Sequence, residues 1–256
     1  NRNKVLELGG EEYKEMAEGD GHLKTGSVRR LIVGEPIGVF YGYRFDGIFQ
    51  NEEECKQQTS SASPIGVGLR RYKDLNGDGK VDAANDREIL GDANPKFFGG
   101  LTNTFAYKGF ELNVFLQYSY GNKILNYNAM ELENPTGGQN AYADMVNRWT
   151  PENPSNIYPK ATTNRALLVS DRFIEDGSYL KLKTLSLSYS FPKINLKHIQ
   201  GLRLYVTGQN LLTWTKYRGY DPEVSYRGAS TLEAGEDFGG YPQSRTFMFG
   251  IKLDIK

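Results

Sequence analysis

The sequence lacks a long apolar run, carries a single cysteine and two histidines, and has no net charge. Each shortage excludes something. No segment approaches the ~18 apolar residues of a membrane-spanning helix. The membrane is not excluded by this, because barrel strands hide their apolarity in alternation. Cys55 stands alone, so an intrachain disulfide and a cysteine metal cluster are both ruled out. Lys and Arg number 31 and so do Asp and Glu, which argues against a broad basic surface for nucleic acid. His22 and His198 lie far apart and read as solvated loop residues, not a catalytic pair. Gly-rich pieces such as residues 34–47 lack the Lys-Ser/Thr of a phosphate loop. With no nucleophile–base pairing in view, the chain reads as no enzyme. It opens on Asn1 with neither Met nor an apolar leader, so it reads as a piece of a longer protein.

What is present is Tyr (17), Phe (13) and Gly (29) in a chain only 38% hydrophobic, which suits a β-rich, loop-rich protein with aromatic girdles. Residues 246–256 show the governing pattern. Phe247, Phe249, Ile251, Leu253 and Ile255 alternate with Thr246, Met248, Gly250, Lys252, Asp254 and Lys256. Period-two alternation puts one set on each face of a strand. A length of roughly ten residues suits a tilted transmembrane strand. Residues 98–108 and 111–120 repeat the pattern around the turn signal Lys108-Gly109. Residues 179–191 do so again, with Leu180 and Leu182 out of phase with Leu185, Leu187 and Tyr189; this predicts a bulge near Lys183. Residues 202–212 complete the set of five strands. Asn113, Gln117, Thr184, Arg203 and Gln209 fall on the polar face, which would line a lumen.

The connectors alternate short and long: 108–109, 121–172, 192–201, 213–244. Transmembrane barrels do this, with short periplasmic turns and long outer loops. Residues 1–8 read as the end of a strand, residues 13–17 as a short helical turn, 52–63 as a mobile segment, and 141–149 as a helix stopped by Thr150-Pro151. Residues 34–50 read as a hairpin outside the membrane.

One loop carries metal chemistry. Asp74-Leu75-Asn76-Gly77-Asp78-Gly79-Lys80-Val81-Asp82 is the first nine positions of an EF-hand-type loop. Asp74, Asn76 and Asp78 would give side-chain oxygens to Ca²⁺, Lys80 its carbonyl, and Asp82 a direct or water-mediated oxygen. The twelfth position falls on Asn85, so either Asp86 closes the site after a one-residue insertion or the affinity is weak. A bare Asx/Gly turn is the plainer alternative. The carboxylates Glu131, Glu133, Glu175 and Asp176 read as solvated loop charge. Trp214, Tyr217 and Tyr220, with Trp149, are candidate stacking surfaces for a ligand, against the plainer reading of an interfacial aromatic girdle.

Taken in order, residues 34–50 (GEPIGVFYGYRFDGIFQ), 71–82 (RYKDLNGDGKVD), 85–97, 107–122 (YKGFELNVFLQYSYGN), 148–154 (RWTPENP), 175–192 and 204–224 resemble the C-terminal part of SusC/RagA-type TonB-dependent outer-membrane transporters of Bacteroidota. One departure is the end at Ile255-Lys256, where the family commonly ends on an aromatic. The resemblance implies an all-β fold, the last part of a 22-stranded antiparallel transmembrane barrel, with long outer loops holding a short helix and the calcium-type loop. Residues 97–256 would give the last five strands and their loops, residues 1–96 mostly outer loop, and the plug would lie outside this chain. It further implies outer-membrane import of an oligosaccharide or peptide, a SusD-like surface lipoprotein above and TonB below, with no nucleic acid. The competing reading is a secreted, calcium-stabilised β-sandwich that binds carbohydrate.

Overall fold

The computed structural model describes all residues except 1, 17, 18, 20, 21, 24, 135–139, 164–166, 193–197, 227, 229, 231 and 256. Five long strands make one antiparallel sheet: β1 (Phe97–Tyr107), β2 (Phe110–Tyr120), β3 (Tyr179–Ser190), β4 (Ile199–Thr215) and β5 (Thr246–Ile255). Each pairs with the next in sequence, so the sheet is a simple up-and-down meander. Lys108 and Gly109 turn the first hairpin with φ of +45° and +89°. Two positive-φ residues are what a tight hairpin matching the strands' right-handed twist requires. Part of the short connector expected at 192–201, residues 193–197, lies outside the described residues.

The register fixes the faces. Phe105, Leu112, Leu187, Val206 and Phe249 are cross-strand neighbours in one unbroken row. One residue along, the row is Thr104, Asn113, Ser186, Thr207 and Met248. Lys183 falls between Leu182 and Thr184 where the register slips against both neighbouring strands. This bulge returns Leu180 and Leu182 to the apolar face, as their phase in the sequence demanded. Across from it Asn210 takes φ +52°, a left-handed conformation that Asn tolerates better than most residues.

Nothing among the described residues covers the apolar face: Phe105 is 60% exposed and Phe249 83%. A β-sandwich would bury these side chains against a second sheet, so the sandwich reading fails here. No helix among the described residues is long and apolar enough to cross a membrane. The strands hold 11, 11, 12, 17 and 10 residues, and about 9–11 residues of tilted strand cross a bilayer. Among the described residues, strands β1 and β5 each pair on one side only. Lipid cannot satisfy the bare N–H and C=O groups of those edges, so further strands must close the wall.

All the long connections leave from the same end of the sheet, and there they fold together. Tyr13–Glu15, Arg29–Ile32, Val39–Tyr43 and Arg87–Gly91 form a four-stranded sheet. Lys123–Asn126, Ile174–Asp176 and Glu236–Asp237 form another of three. Val28, Phe40, Leu125, Met130, Val169 and Phe173 are buried in a shared core. This loop body corrects several expectations. Residues 2–8 form no strand; Val5 exchanges backbone hydrogen bonds with Gly34 and Glu35. Tyr13–Glu15 is a strand, not a helical turn, because it ladders onto Arg29–Ile32 and the Arg30 guanidinium stacks 4.1 Å from the Tyr13 ring; Ala17 lies outside the described residues. The helix expected at 141–149 is a 3₁₀ turn, Ala143–Asn147, which buries only Met145. A helix absent from the sequence reading, Tyr127–Leu132, starts where the Asn126 side chain accepts the Ala129 N–H at 2.9 Å. The segment at 52–63 holds a short helix, Glu52–Lys56, and a strand, Thr59–Ser60.

Leu187→Arg places a cation mid-strand on the bare face. In the full-length protein folded into lipid vesicles, denaturant titration should show a loss of about 2–4 kcal/mol, whereas Ser186→Arg on the opposite face should cost far less.

Candidate functional site

The chemistry collects where the polar face of the sheet meets the loop body. The face is mostly hydroxyls and amides. Asn113 donates to Thr104 at 2.9 Å, and Arg203 donates to Glu111 and Ser188 at 2.6 Å each. Gln209 lies opposite Thr184 and Thr246. The five polar residues named from the sequence therefore share one wall.

Two lysines stand out on it. Lys181 is buried and donates to Asp221 and to Glu223, the latter at 2.6 Å; Lys183 donates to the same Glu223 oxygen at 2.8 Å. The other oxygen of Glu223 accepts from Gln117 at 3.0 Å and from the Tyr179 hydroxyl at 3.2 Å. The bulge at Lys183 is what brings both lysines to one carboxylate. Asp221-Pro222-Glu223 belongs to the last long connection, so this cluster ties that loop to the wall. Partial burial pushes both carboxyls up, but hydrogen bonds from Lys181 to each, from Lys183 to Glu223, and from backbone N–H groups to Asp221 outweigh it, and both lie below their usual range. The sequence reading missed this cluster. Its signal was two lysines at period two on a strand face otherwise lined with hydroxyls.

A second cluster holds the loops to one another. Glu133 is buried, with one oxygen taken by Arg172 at 2.7 Å and the other by Arg218 at 2.9 Å. Arg218 also meets Glu175 at 2.8 Å. Burial alone would lower the Arg218 pKa, but its bonds to Glu175 and Glu133 raise it above the ordinary value. Arg29 and Glu236 form a buried pair at 2.9 Å. The expectation of solvated carboxylates is thus corrected for Glu133 and Glu175, which are neutralised by arginines from distant segments. Glu131 sits 3.7 Å from His22, and Asp176 accepts the Ser178 N–H and hydroxyl. His198 is exposed. Beside the second cluster an open, charged cavity of about 440 Å³ is lined by Phe45, Asp171, Arg172, Glu175, Lys216 and Arg218.

The acidic loop folds around its own backbone. Asp74 accepts the N–H groups of Gly77 and Gly79, both at 2.7 Å; Asp78 accepts that of Lys80 at 2.8 Å; Asp82 accepts those of Ala84 and Asn85. Gly77 and Gly79 take φ of +75° and +80°, which the tight turn requires. Asn76 donates to Asp78 at 2.9 Å. Asp86 is fully buried, and its two oxygens hold the N–H groups of Leu75 and Asp82, joining the arms of the loop. Among the described residues no group of three or more His, Cys, Asp or Glu is gathered as a metal cluster. Of the aromatic trio, Trp214 is 50% and Tyr220 83% exposed, whereas Tyr217 is 5% exposed and its hydroxyl donates to Asp237. Tyr217 is therefore a packed anchor and not a stacking surface. Trp149 lies apart from these, its indole N–H donating to Gln50 at 3.0 Å.

No family model matches the chain. Individual proteins do. TonB-dependent receptor P3 of Formosa agariphila is 38% identical over 259 residues, which cover 99% of this chain and 26% of that protein. TonB-dependent receptor SusC of Bacteroides thetaiotaomicron is 26% identical over 267 residues, covering 100% of this chain and 23% of that one. Over its whole length the chain is homologous to a stretch of SusC/RagA-type TonB-dependent receptors. It spans about a quarter of the length of the curated relatives it matches. The fold agrees: the RagAB peptide transporter superposes with a TM-score of 0.74 at 24% identity, over 98% of this chain and 26% of that one. The bare-faced sheet is therefore part of a large antiparallel barrel wall.

Because the Asp221 and Glu223 pKa values are depressed in the folded state, their bonds to Lys181 and Lys183 contribute fully above the ordinary values of 3.8 and 4.5. That contribution fades as pH falls through the folded values. Amide exchange of segment 216–245 should accelerate in that acid window. Glu223→Gln should bring the acceleration to neutral pH, lowering local opening energy by about 1–3 kcal/mol.

Proposed function

We propose that the full-length protein is a TonB-dependent importer of the bacterial outer membrane, in Bacteroidota, taking up an oligosaccharide or peptide too large to diffuse. Residues 97–256 supply five adjacent strands of its barrel wall, and residues 1–96 with the other long connections supply the outer loop body. The plug and the TonB contact belong to other parts of the protein. A SusD-like lipoprotein sits over the loop body. One observation carries the reading: a five-strand row of Phe, Leu and Val stands bare on one face while the opposite face is polar and locked to the loops. The names of the relatives, receptors and a peptide transporter, support the transport reading. The open charged cavity beside Arg218 and the exposed rings of Trp214 and Tyr220 are the surfaces this chain offers to substrate or lipoprotein.

Calcium belongs to the same proposal, in a structural role. Asp74, Asn76, Asp78, the Lys80 carbonyl and Asp82 are hard oxygens grouped on one turn. The oxygens of Asp74 and Asp78 each accept a single N–H and keep a second lone pair for a cation. Asp82 instead holds the Ala84 and Asn85 N–H groups on one oxygen and the Lys80 ammonium at 3.1 Å on the other, so a cation would have to displace that ammonium. Asp86 then fixes the arms of the loop in place of a closing bidentate ligand.

Fractionation tests the location: the full-length protein should appear with the outer membrane and run faster on gels unless boiled. Recovery in the soluble fraction without a heat-dependent shift would sink the proposal. For the loop, terbium luminescence sensitised by nearby Tyr72 should appear on titration and be lost in Asp74→Ala/Asp78→Ala, with calcium competing; no signal in the unaltered protein would remove the ion from the account.

A further inference from the structure

The barrel wall fills every acceptor position of the Glu223 carboxylate. Its Oε2 accepts from Lys181 at 2.6 Å and from Lys183 at 2.8 Å, and its Oε1 from Gln117 at 3.0 Å and the Tyr179 hydroxyl at 3.2 Å. A carboxylate offers about four such positions. All four donors stand on β2 and β3. Among the described residues no donor of the last long connection reaches this carboxylate. Asp221 is different. It accepts the backbone N–H groups of Glu223 at 2.9 Å and Gln243 at 3.1 Å, both from its own connection, as well as Lys181. Asp221 is thus a loop residue that leans on the wall, whereas Glu223 occupies a seat that the wall itself builds. Strand pairing and the Lys183 bulge fix the donors of that seat. The seat is not sealed. The side chains of Lys183 and Glu223 are 20% and 19% exposed. Gln117 and Tyr179 also line an open hollow of about 480 Å³, together with Phe98 and Phe115. If Glu223 leaves, Asp221 still neutralises Lys181, while Lys183 has no other ion pair among the described residues. The vacated seat then carries one uncompensated positive charge.

We propose that this seat receives a carboxylate side chain of an acidic peptide cargo, and that Glu223 is a tethered stand-in for it. The inference rests on the transport reading above and narrows its cargo. The group seated here is itself a glutamate on a peptide, Asp221-Pro222-Glu223, so the donors already have the arrangement that a peptide carboxylate needs. Exchanging one carboxylate for another on the same donors leaves the number of hydrogen bonds unchanged. What the cargo must overcome is the high effective concentration of the tethered Glu223. Apolar side chains beside the acidic one would gain by packing on Phe98 and Phe115 in the hollow. Departure of Glu223 would also end the loop's hold on Gln117, Tyr179 and Lys183, so arrival of cargo would loosen segment 216–245.

The test measures binding directly, with the full-length protein in detergent at constant ionic strength. Triglutamate should bind and trialanine should not. Glu223→Ala opens the seat and should tighten triglutamate binding by roughly tenfold or more, as expected for a seat that Glu223 fills about nine-tenths of the time or more. Adding Lys183→Met should abolish that gain. In the unaltered protein, triglutamate should accelerate amide exchange of segment 216–245. Equal affinity of the unaltered and Glu223→Ala proteins, or no acceleration of exchange, would overturn the proposal. Trigalacturonate bound in preference to triglutamate would overturn the assignment to a peptide. The exchange measurement uses the unaltered protein, so it decides even if Glu223→Ala misfolds. A protein that fractionates with the outer membrane yet shows none of these effects would sink this inference alone and leave the transport reading standing.

Discussion

Everything in this structure follows from a backbone and a set of greasy side chains that share a solvent unable to hydrogen-bond. Lipid accepts Phe105, Leu187 and Phe249 but leaves no partner for a bare N–H or C=O. Antiparallel pairing of long strands meets both demands at once. Each strand satisfies its neighbours' backbone, and period-two alternation sends the apolar set outward. The same constraint explains the Lys183 bulge. Without it Leu180 and Leu182 would turn into the lumen and the two lysine positions would change face. It also explains why β1 and β5, each paired on one side only, belong to a larger wall.

Outside the lipid the problem reverses. The long connections must keep one shape in water with a modest core, and they use buried charge to do it. Glu133, Arg218, Glu236 and Arg29 link segments 85 and 207 residues apart in sequence. Such pairs add little to net stability, but removing one partner leaves a stranded charge, so they restrict the loops to one arrangement. The Lys181–Lys183–Asp221–Glu223 cluster then couples that arrangement to the barrel wall. Lumen and loops are thereby one mechanical unit on this side of the barrel.

The wall was legible in the sequence because its determinants are local. Each residue's face depends on its neighbours two positions away, and even the bulge showed as a slip in phase. The loop body was not, because Phe40, Leu125 and Phe173 meet from stretches far apart in the chain and the elements carrying them are three to five residues long. Segments that short carry no periodicity to read. For the same reason Glu133 and Glu175 looked solvated, Tyr217 looked available to a ligand, and residues 13–15 looked helical. In each case a partner far along the chain decided the outcome. The acidic loop lies between these extremes: its turn was visible in Gly77 and Gly79, whereas the inward role of Asp86 depended on geometry.

The most direct measurement is the solvent seen by successive residues of β3. Single cysteines at positions 184–190, in full-length protein carrying Cys55→Ser and placed in membranes, would bear nitroxide labels for accessibility to oxygen and to a water-soluble nickel complex. The account predicts a period of two, with oxygen favoured at Leu185, Leu187 and Tyr189 and the nickel complex at Thr184, Ser186 and Ser188. Labels at Leu185, Leu187 and Tyr189 shielded from both reagents, as in a water-soluble core, would contradict it.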